Sequence, residues 1–183
     1  MPIPIRGPFS YSGNKYRIYS KNLKEIMLNF ERVHEPFCGS AVCLYNANNG
    51  GIGIDIDSDV IALHNSLFDK ELIPKIQESY LRYFPKGKTK EGFYQLRKDF
   101  NQSWIKTGTT PENIHLLHLA LQLSFNSLFR FSKNGFSCPY GWKDMHLEKI
   151  KIHQDIILNK NIQFFQGDRS EEHTSELQSH GLI

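Results

Sequence analysis

The stretch Arg32-Val33-His34-Glu35-Pro36-Phe37-Cys38-Gly39-Ser40, with Gly51-Ile52-Gly53-Ile54-Asp55-Ile56-Asp57-Ser58-Asp59 after it, decides the fold class. Each half reads as a short buried strand that turns into a helix. The first strand ends at Pro36, because proline lacks the N–H a ladder needs. Gly39 and Ser40 then open a helix through Asn46, and Asp57-Ser58-Asp59 can cap another over Val60 to Phe68. Upstream, Lys15 to Phe30 sets Ile18, Leu23, Ile26, Met27 and Phe30 at spacings that approximate one helical face. The order helix, strand, helix, strand, helix predicts an α/β sheet with parallel strands.

In doubly wound sheets ligands bind beyond the carboxyl ends of the strands, where Glu35 to Ser40 and Asp55 fall. Gly39 lets backbone approach a ligand closely. Asp55, about twenty residues on, is placed to accept both hydroxyl hydrogens of an adenosine ribose. A tight strand-to-helix turn and a helix cap would account for the same residues. No G-x-G-x-x-G or G-x-x-x-x-G-K-[ST] occurs, which disfavours dinucleotide and P-loop readings.

Downstream the pattern changes. Residues 70–128 hold no convincing strand. Leu72, Ile76, Tyr80 and Leu81 suit one helix, and Lys86-Gly87-Lys88-Thr89 is a basic break. Phe93, Leu96, Phe100 and Trp104 suit a second helix. Thr110 as cap and Pro111 at the first position open a third, with Ile114, Leu117, Leu121, Phe125 and Leu128 on its buried face. After Gly141 a helix near Leu147 to Leu158 precedes a strand, Asn161-Ile162-Gln163-Phe164-Phe165. A block of helices between two α/β portions reads as an inserted subdomain. The division expected is 1–68, 69–145, 146–168 and a tail, 169–183.

The tail differs in composition. Lys, Phe and Tyr are frequent before Asp168 and absent after it. Arg169 to His180 resembles the conceptual translation of a sequencing adapter, so the segment is set aside as one would a fusion scar. Without Arg169, Glu171, Glu172 and Glu176 the chain is more basic than the formal +3 of its 183 residues. That balance suits a polyanionic partner. The three cysteines, Cys38, Cys43 and Cys138, form no C-x-x-C pair, which disfavours a disulfide scaffold or a four-cysteine zinc site. No run of about 18 apolar residues is present, and the N-terminus lacks the apolar region of a secretory signal.

Two further segments carry chemistry. Tyr11-Ser12-Gly13-Asn14-Lys15 sets a lysine at a helix N-terminus, against the macrodipole, where carboxylate binding would compensate. A solvated lysine is the plain alternative. Phe125-Asn126-Ser127-Leu128-Phe129-Arg130 ends the apolar helix and precedes the turn Lys133-Asn134-Gly135-Phe136 and then Pro139-Tyr140-Gly141. Asn pairs bidentately with adenine and Arg with guanine, and an exposed Leu or Phe can wedge between bases. A helix end with a favourable arginine is the plainer reading of these residues taken alone. Cys38 at the turn is a weaker candidate for a low-pKa nucleophile. His115 and His118, three residues apart on a helix, are read as packing residues.

Together these segments resemble the Dam-type DNA adenine-N6 methyltransferases, the alpha-ordered D12 class, over about residues 8 to 168. Tyr11 to Lys15 resembles the family's N-terminal cofactor motif and Glu35 to Ser40 its methyl-donor loop. Asp55 to Asp59, followed by Asn65, resembles its ribose-binding strand end. Tyr94-Gln95-Leu96-Arg97-Lys98-Asp99-Phe100-Asn101 and Asn126 to Gly141 resemble its target-recognition insert. The resemblance implies a Rossmann-like α/β fold, S-adenosylmethionine as methyl donor and double-stranded DNA as partner. Tyr11, Gly13, Lys15, Phe37, Gly39 and Asp55 are the implied cofactor residues. Tyr11 would lie against the cofactor, Lys15 would face its carboxylate and Asp55 would hold its ribose. Arg130 would read a guanine, as at a GATC-like site, Asn126 would contact bases, Leu128 would intercalate and Pro139 would lie near the target. A monomer in the cytoplasm of a bacterial or phage-infected cell, with no membrane and no metal, is expected; orphan, phage and restriction-modification roles stay open.

One departure stands out: the family's Asp-Pro-Pro-Tyr is absent from this chain. Adenine N6 is a poor nucleophile, because its lone pair is delocalised into the ring. The family meets this with acceptors from that motif and an aromatic stack on the flipped base. By the family's spacing the motif falls shortly after Asp168, so the chain as written is expected to lack catalytic residues and activity. The alternative is a non-catalytic DNA-binding α/β protein of the same ancestry.

Overall fold

The computed structural model describes residues 3–27 and 29–168; the adapter-like tail lies outside the described residues. A helical stretch, α1, covers 16–27 and holds a π-turn, Tyr19–Leu23, between α-turns at Tyr16–Ile18 and Lys24–Met27. Then come β1 (Val33–Pro36), α2 (Val42–Asn46), β2 (Gly51–Asp55) and α3 (Ser58–Asn65), which runs into a 3-10 turn at Ser66–Phe68. Three helices follow, α4 (Leu72–Tyr83), α5 (Lys90–Thr107) and α6 (Ile114–Leu123). The hairpin β3 (Phe131–Ser132) and β4 (Gly135–Phe136) leads to α7 (Leu147–Asn159) and β5 (Ile162–Gln166).

The strands β1, β2 and β5 form one parallel sheet with β2 in the middle, as the alternation of elements predicts. A Cβ on Gly53 would come within 2.6 Å of the Phe164 ring and 2.9 Å of Leu44, so a glycine lets β2 fit between β5 and α2. Asp57 caps α3, its Oδ1 accepting from the N–H groups of Asp59 (2.9 Å) and Val60 (3.4 Å). Thr89 caps α5 through Gly92 N–H at 3.0 Å. One contiguous core runs from Leu44, Tyr45 and Leu63 beside the sheet to Ile76, Phe93, Phe100 and Leu117 in the helical block. Full burial of each aliphatic or Phe side chain contributes about 1.5–3 kcal/mol. The helical block therefore shares its core with the sheet.

Three local expectations are corrected. In α1 the π-turn alters the register, so Tyr16, Tyr19, Leu23 and Met27 pack inward against Val33, Val42 and Cys43. Ile18, Ile26 and Phe30 are exposed instead, and Leu81 likewise faces out from α4. Helix α6 starts at Ile114, not at Pro111. Asn113 folds the preceding loop: its Oδ1 accepts from Thr110 N–H (2.8 Å), and its Nδ2 donates to Ser103 Oγ (3.0 Å) and Gly108 O (2.9 Å). The same helix ends at Leu123, before Phe125 and Leu128. There the chain leaves the helix to pair with 139–141, with Phe125 N–H on Pro139 O and Gly141 N–H on Leu123 O, both 2.8 Å.

Candidate functional site

The turn after β1 is held in an unusual backbone state. Phe37 (φ 56°), Gly39 (φ 49°) and Ala41 (φ 51°) are all left-handed, and two of them are not glycine. Such residues cost of order 1–3 kcal/mol each unless their surroundings fix them. Here the surroundings do. Cys38 N–H donates to Ile54 O at 2.9 Å and Ala41 N–H to Cys38 O at 2.7 Å. The buried Asp55 carboxylate ties the two strand ends together: Oδ2 accepts from Gly39 N–H (2.9 Å) and Oδ1 from Asp57 N–H (3.1 Å). Tyr11 covers the turn so closely that a Cβ on Gly39 would come within 2.8 Å of its ring. Burial, with Asp55 and Asp57 nearby, raises the Tyr11 phenol pKa and keeps it protonated.

A second support comes from beneath. His64 is fully buried and stacks on Phe164 at 4.2 Å between ring centres. Its Nε2 lies 2.7 Å from Gly39 O, and its Nδ1 lies 2.9 Å from the Tyr45 hydroxyl. A carbonyl only accepts, so Nε2 carries the hydrogen and Tyr45 donates to Nδ1. Burial pushes the His64 pKa down to about 4, so the ring is neutral at pH 7.

Lys15 reaches the same turn. Its Nζ donates to Phe37 O at 2.9 Å and pairs with Glu35 Oε1 at 3.0 Å. Glu35 is buried, and its Oε2 accepts from Leu44 N–H at 3.3 Å. Burial raises the Glu35 pKa, opposed by Lys15. The solvated-lysine alternative therefore fails, and one ammonium hydrogen remains beyond these two partners. Gly13 is exposed with φ 76°. Phe37 and Ile56 are 54% and 62% exposed, which leaves apolar surface at the ends of β1 and β2.

The recognition-type segment lies directly alongside. Ser10 N–H donates to Ser127 O (3.1 Å) and Phe129 N–H to Ser10 O (2.8 Å), so the Tyr11 loop and the 126–130 segment are stitched together. Tyr11 and Phe129 rings sit 5.7 Å apart. Asn126 and Ser127 are left-handed (φ 56° and 50°) in the 3-10 turn Phe125–Ser127, and Asn126, Arg130 and Pro139 are exposed. Leu128 is half-buried and bridged to Ser10, whereas Phe125 is 57% exposed. Helix α5 clamps this surface from behind. Asn101 Oδ1 accepts from Phe136 N–H (2.8 Å) while its Nδ2 donates to Phe136 O (3.0 Å), and Arg97 donates to Cys138 O (3.0 Å).

Two readings of reactive side chains change or sharpen. Cys38 is no low-pKa nucleophile: burial and the charges of Asp55 and Glu35 raise its thiol pKa far above normal. His118 is a packing residue, its Nε2 lying 2.8 Å from Ser66 Oγ, with a pKa pushed down to about 3 by burial. Among the described residues no cluster of three or more His, Cys, Asp or Glu could hold a metal ion. No helix among them is long and apolar enough to cross a membrane. Sequence reasoning singled out neither Glu35 nor His64 as a site residue. The Glu35–Lys15 pair had one available signal, opposite charges flanking the motif; His64 had none.

A parallel sheet with a glycine turn after one strand and a buried carboxylate ending the next is compatible with a methyltransferase-like α/β protein. The chain belongs to the D12 class N6 adenine-specific DNA methyltransferases, whose family pattern it matches over residues 11–180. It is 30% identical over 139 residues to a DNA adenine methylase of Salmonella typhi. It is 27% identical over 138 residues to a DNA adenine methylase of Vibrio cholerae serotype O1. Each match covers 74% of this chain and 48% of the relative, so the chain spans about half the length of the curated relatives it matches.

Proposed function

We propose that this chain is the cofactor-binding and target-recognising portion of a DNA adenine-N6 methyltransferase that takes S-adenosylmethionine as donor and double-stranded DNA as substrate. The observation that carries this reading is the Asp55–Gly39 strand-end turn lying stitched, through Ser10, to the 126–130 segment. The residues fit the cofactor's chemistry. Asp55 spends one interaction per oxygen on backbone N–H groups, which leaves lone pairs for ribose hydroxyls. The exposed Phe37 and Ile56 offer an adenine apolar surface, and the remaining Lys15 hydrogen can meet a carboxylate. Tyr11, Gly13 and Gly39 shape the loop around it. When bound, S-adenosylmethionine supplies an electrophilic methyl group on a sulfonium.

On the DNA side, Arg130 is proposed to read a guanine, as a GATC-like site would require, with Asn126 on base edges and Pro139 beside them. Phe125, more exposed than Leu128, is the better wedge between bases. The segment 69–145 is proposed as the target-recognition part and 1–68 with 146–168 as the catalytic part. The chain lacks Asp-Pro-Pro-Tyr, so we propose that these residues bind the substrates without activating adenine N6. A cytoplasmic setting and a monomer complete the reading.

Calorimetry of S-adenosylmethionine binding to the full chain tests it. Charge-assisted hydrogen bonds contribute about 1.5–3 kcal/mol, so Asp55→Ala should weaken binding about tenfold or more. Asp57→Ala, which removes a helix cap, should leave the affinity within about threefold, at a stability cost of about 1 kcal/mol. Equal affinities for the two variants would remove the ribose assignment.

A further inference from the structure

Residues 3–9 form no helix or strand, so their backbone polar groups must find partners elsewhere. Two side chains supply them. Asn46, at the end of α2, grips Ile5 on both sides: its Oδ1 accepts from Ile5 N–H (2.8 Å) and its Nδ2 donates to Ile5 O (2.7 Å). His153 on α7 takes the next carbonyl, its Nε2 lying 2.8 Å from Arg6 O. Beyond these ties Gly7 packs against Ser40, Phe9 sits 5.3 Å from the His64 ring, and Tyr11 covers Gly39. The segment is thus a strap that runs from α2 and α7 to the turn after β1.

The Asn46 tie is indifferent to pH; the His153 tie is not. The other ring nitrogen of His153, Nδ1, lies 2.6 Å from Lys149 O, one turn back on α7. Both nitrogens therefore face carbonyl oxygens, which only accept. A neutral imidazole has one N–H and one lone pair, whereas an imidazolium donates from both nitrogens. With a neutral ring, one nitrogen lone pair would point at a carbonyl lone pair within hydrogen-bond distance. The Lys149 carbonyl is fixed in the helical ladder. Arg6 O, on a segment without regular structure, is the partner that gives way.

The surroundings leave the two carbonyls as the partners of that proton. His153 is 5% exposed. From α2, Tyr45 meets its ring at right angles, 4.8 Å between centres, with the hydroxyl spent on His64. His64 on α3 and His118 on α6 are the other titratable groups that feel it, and both are held neutral by burial. Arg6 turns its guanidinium over Tyr16 of α1 at 4.5 Å, and Lys160 donates to Tyr45 O and Ala47 O. On α7 itself Lys149 has its ammonium by Lys143, and Lys151 pairs with Asp155. Asp69, before α4, pairs with Lys75. Burial holds the His153 pKa below the ordinary histidine value of 6.5, opposed by the bonds to Arg6 O and Lys149 O.

The geometry points to a proton-operated strap: the doubly protonated His153 ring locks residues 5–9 across the turn at Ser40, and loss of that proton frees Arg6 O. Relative to the unfolded chain, a depressed pKa makes His153 a group that destabilises in acid, as His64 does. Relative to a released strap the sign is opposite, because release removes the Arg6 bond, which favours the charged ring. Docking is therefore strengthened as pH falls through the His153 transition, below 6.5, and weakened as pH rises through it. Because the strap continues into Tyr11, S-adenosylmethionine affinity follows the same proton, a consequence that rests on the cofactor reading above.

The test is NMR of the full chain between pH 7.5 and pH 5. Exchange of the Ile5 amide, corrected for its intrinsic pH dependence, reports strap docking, because Asn46 Oδ1 holds that N–H. The buried Phe100 on α5 reports the core. Ile5 protection should rise at least about threefold relative to Phe100 as pH falls, within the limit of about tenfold per pH unit for one linked proton. Ring nitrogen shifts of His153 should show both nitrogens protonated at the acid end. His153→Gln, whose amide donates without titrating, should abolish the rise. By reciprocity, Asn46→Ala, which loosens the strap, should lower the His153 midpoint. Ile5 protection that falls with acid would overturn the strap, as would an Asn46→Ala midpoint that moves up towards 6.5, since burial alone would then govern the ring. Calorimetry of S-adenosylmethionine binding over the same interval should show a gain in acid for the wild type relative to His153→Gln. Equal pH profiles would overturn the link to the cofactor. No binding by either chain, with the exchange result intact, would overturn the cofactor reading and leave the strap standing.

Discussion

His64 shows how a residue remote from any ligand can govern a site. A neutral imidazole has one donor and one acceptor, and both are spent: the donor on Gly39 O, the acceptor on the Tyr45 hydroxyl. Tyr45→Phe leaves Nδ1 buried and unpaired, at a cost of about 1–3 kcal/mol. The same burial sets a pH dependence. The folded-state pKa is pushed down to about 4 from the ordinary histidine value of 6.5. Between those values the unfolded chain binds more protons, so stability falls as pH drops from 6.5 through 4. His118, at about 3, acts in the same direction. Urea midpoints should therefore be lower at pH 5 than at pH 7, and His64→Phe should reduce that difference. An unchanged pH slope in His64→Phe would mean that the ring is charged or exposed in solution. None of this was legible in the sequence, where position 64 is one histidine among eight. Asp55 was legible, because a strand end recognised by its alternation fixes which acid comes last.

At the scale of elements, periodicity located every strand of the sheet and each long helix, because one-sided burial imposes a period on the chain. It failed where a distant partner decided the outcome. The apolar positions of α6 continue in helical register through Phe125 and Leu128, yet pairing with 139–141 ends the helix at Leu123. The π-turn in α1, Tyr19–Leu23, was equally hidden, since no residue pattern in it marks a departure from α-helical period. The hairpin β3–β4 was legible as a turn from Lys133-Asn134-Gly135, but not its clamp. The strands are two residues each, too short to stand alone. Asn101 supplies the missing edge by hydrogen bonding both polar groups of Phe136. Asn101→Ala should speed amide exchange at Phe136 about tenfold or more, since each lost hydrogen bond contributes about 0.5–1.5 kcal/mol. Arg130, whose carbonyl accepts from Ser137 N–H at 3.0 Å, should then lose its fixed placement, and with it the guanine reading proposed above. Discrimination at one guanine position should fall in Asn101→Ala as in Arg130→Ala, measured by competition among duplexes with each base varied. If Asn101→Ala weakens binding to all sequences alike, the clamp has no part in reading bases.

Across the whole molecule, the sequence divides at about residue 69 while the core does not. Composition and periodicity register a change from strands to helices; they cannot register that Leu63, Phe93 and Leu117 belong to one cluster. A polar tie reinforces that continuity. Asp59, in the first turn of the helix that follows Asp55, is buried and accepts from Trp104 Nε1 through both oxygens (3.1 and 2.9 Å) and from Thr109 Oγ1 (2.5 Å). Helix α3 is thereby fastened to α5 and to the loop before α6. Hydrogen bonds to a charged group contribute about 1.5–3 kcal/mol each, and removing the donor leaves a buried carboxylate short of partners. Trp104→Phe should therefore destabilise the chain by about 2 kcal/mol or more, and Asp59→Ala by a similar amount. The double variant should cost clearly less than their sum, giving a coupling energy of about 1 kcal/mol or more in a cycle of urea titrations. Because the core is continuous, calorimetry of the wild-type chain should show one transition, and Trp104→Phe should lower its midpoint without splitting it. Two separate transitions in the wild type, with Trp104→Phe shifting only one, would mean that the helices fold as an independent unit and that the Asp59 tie is no more than a contact between domains.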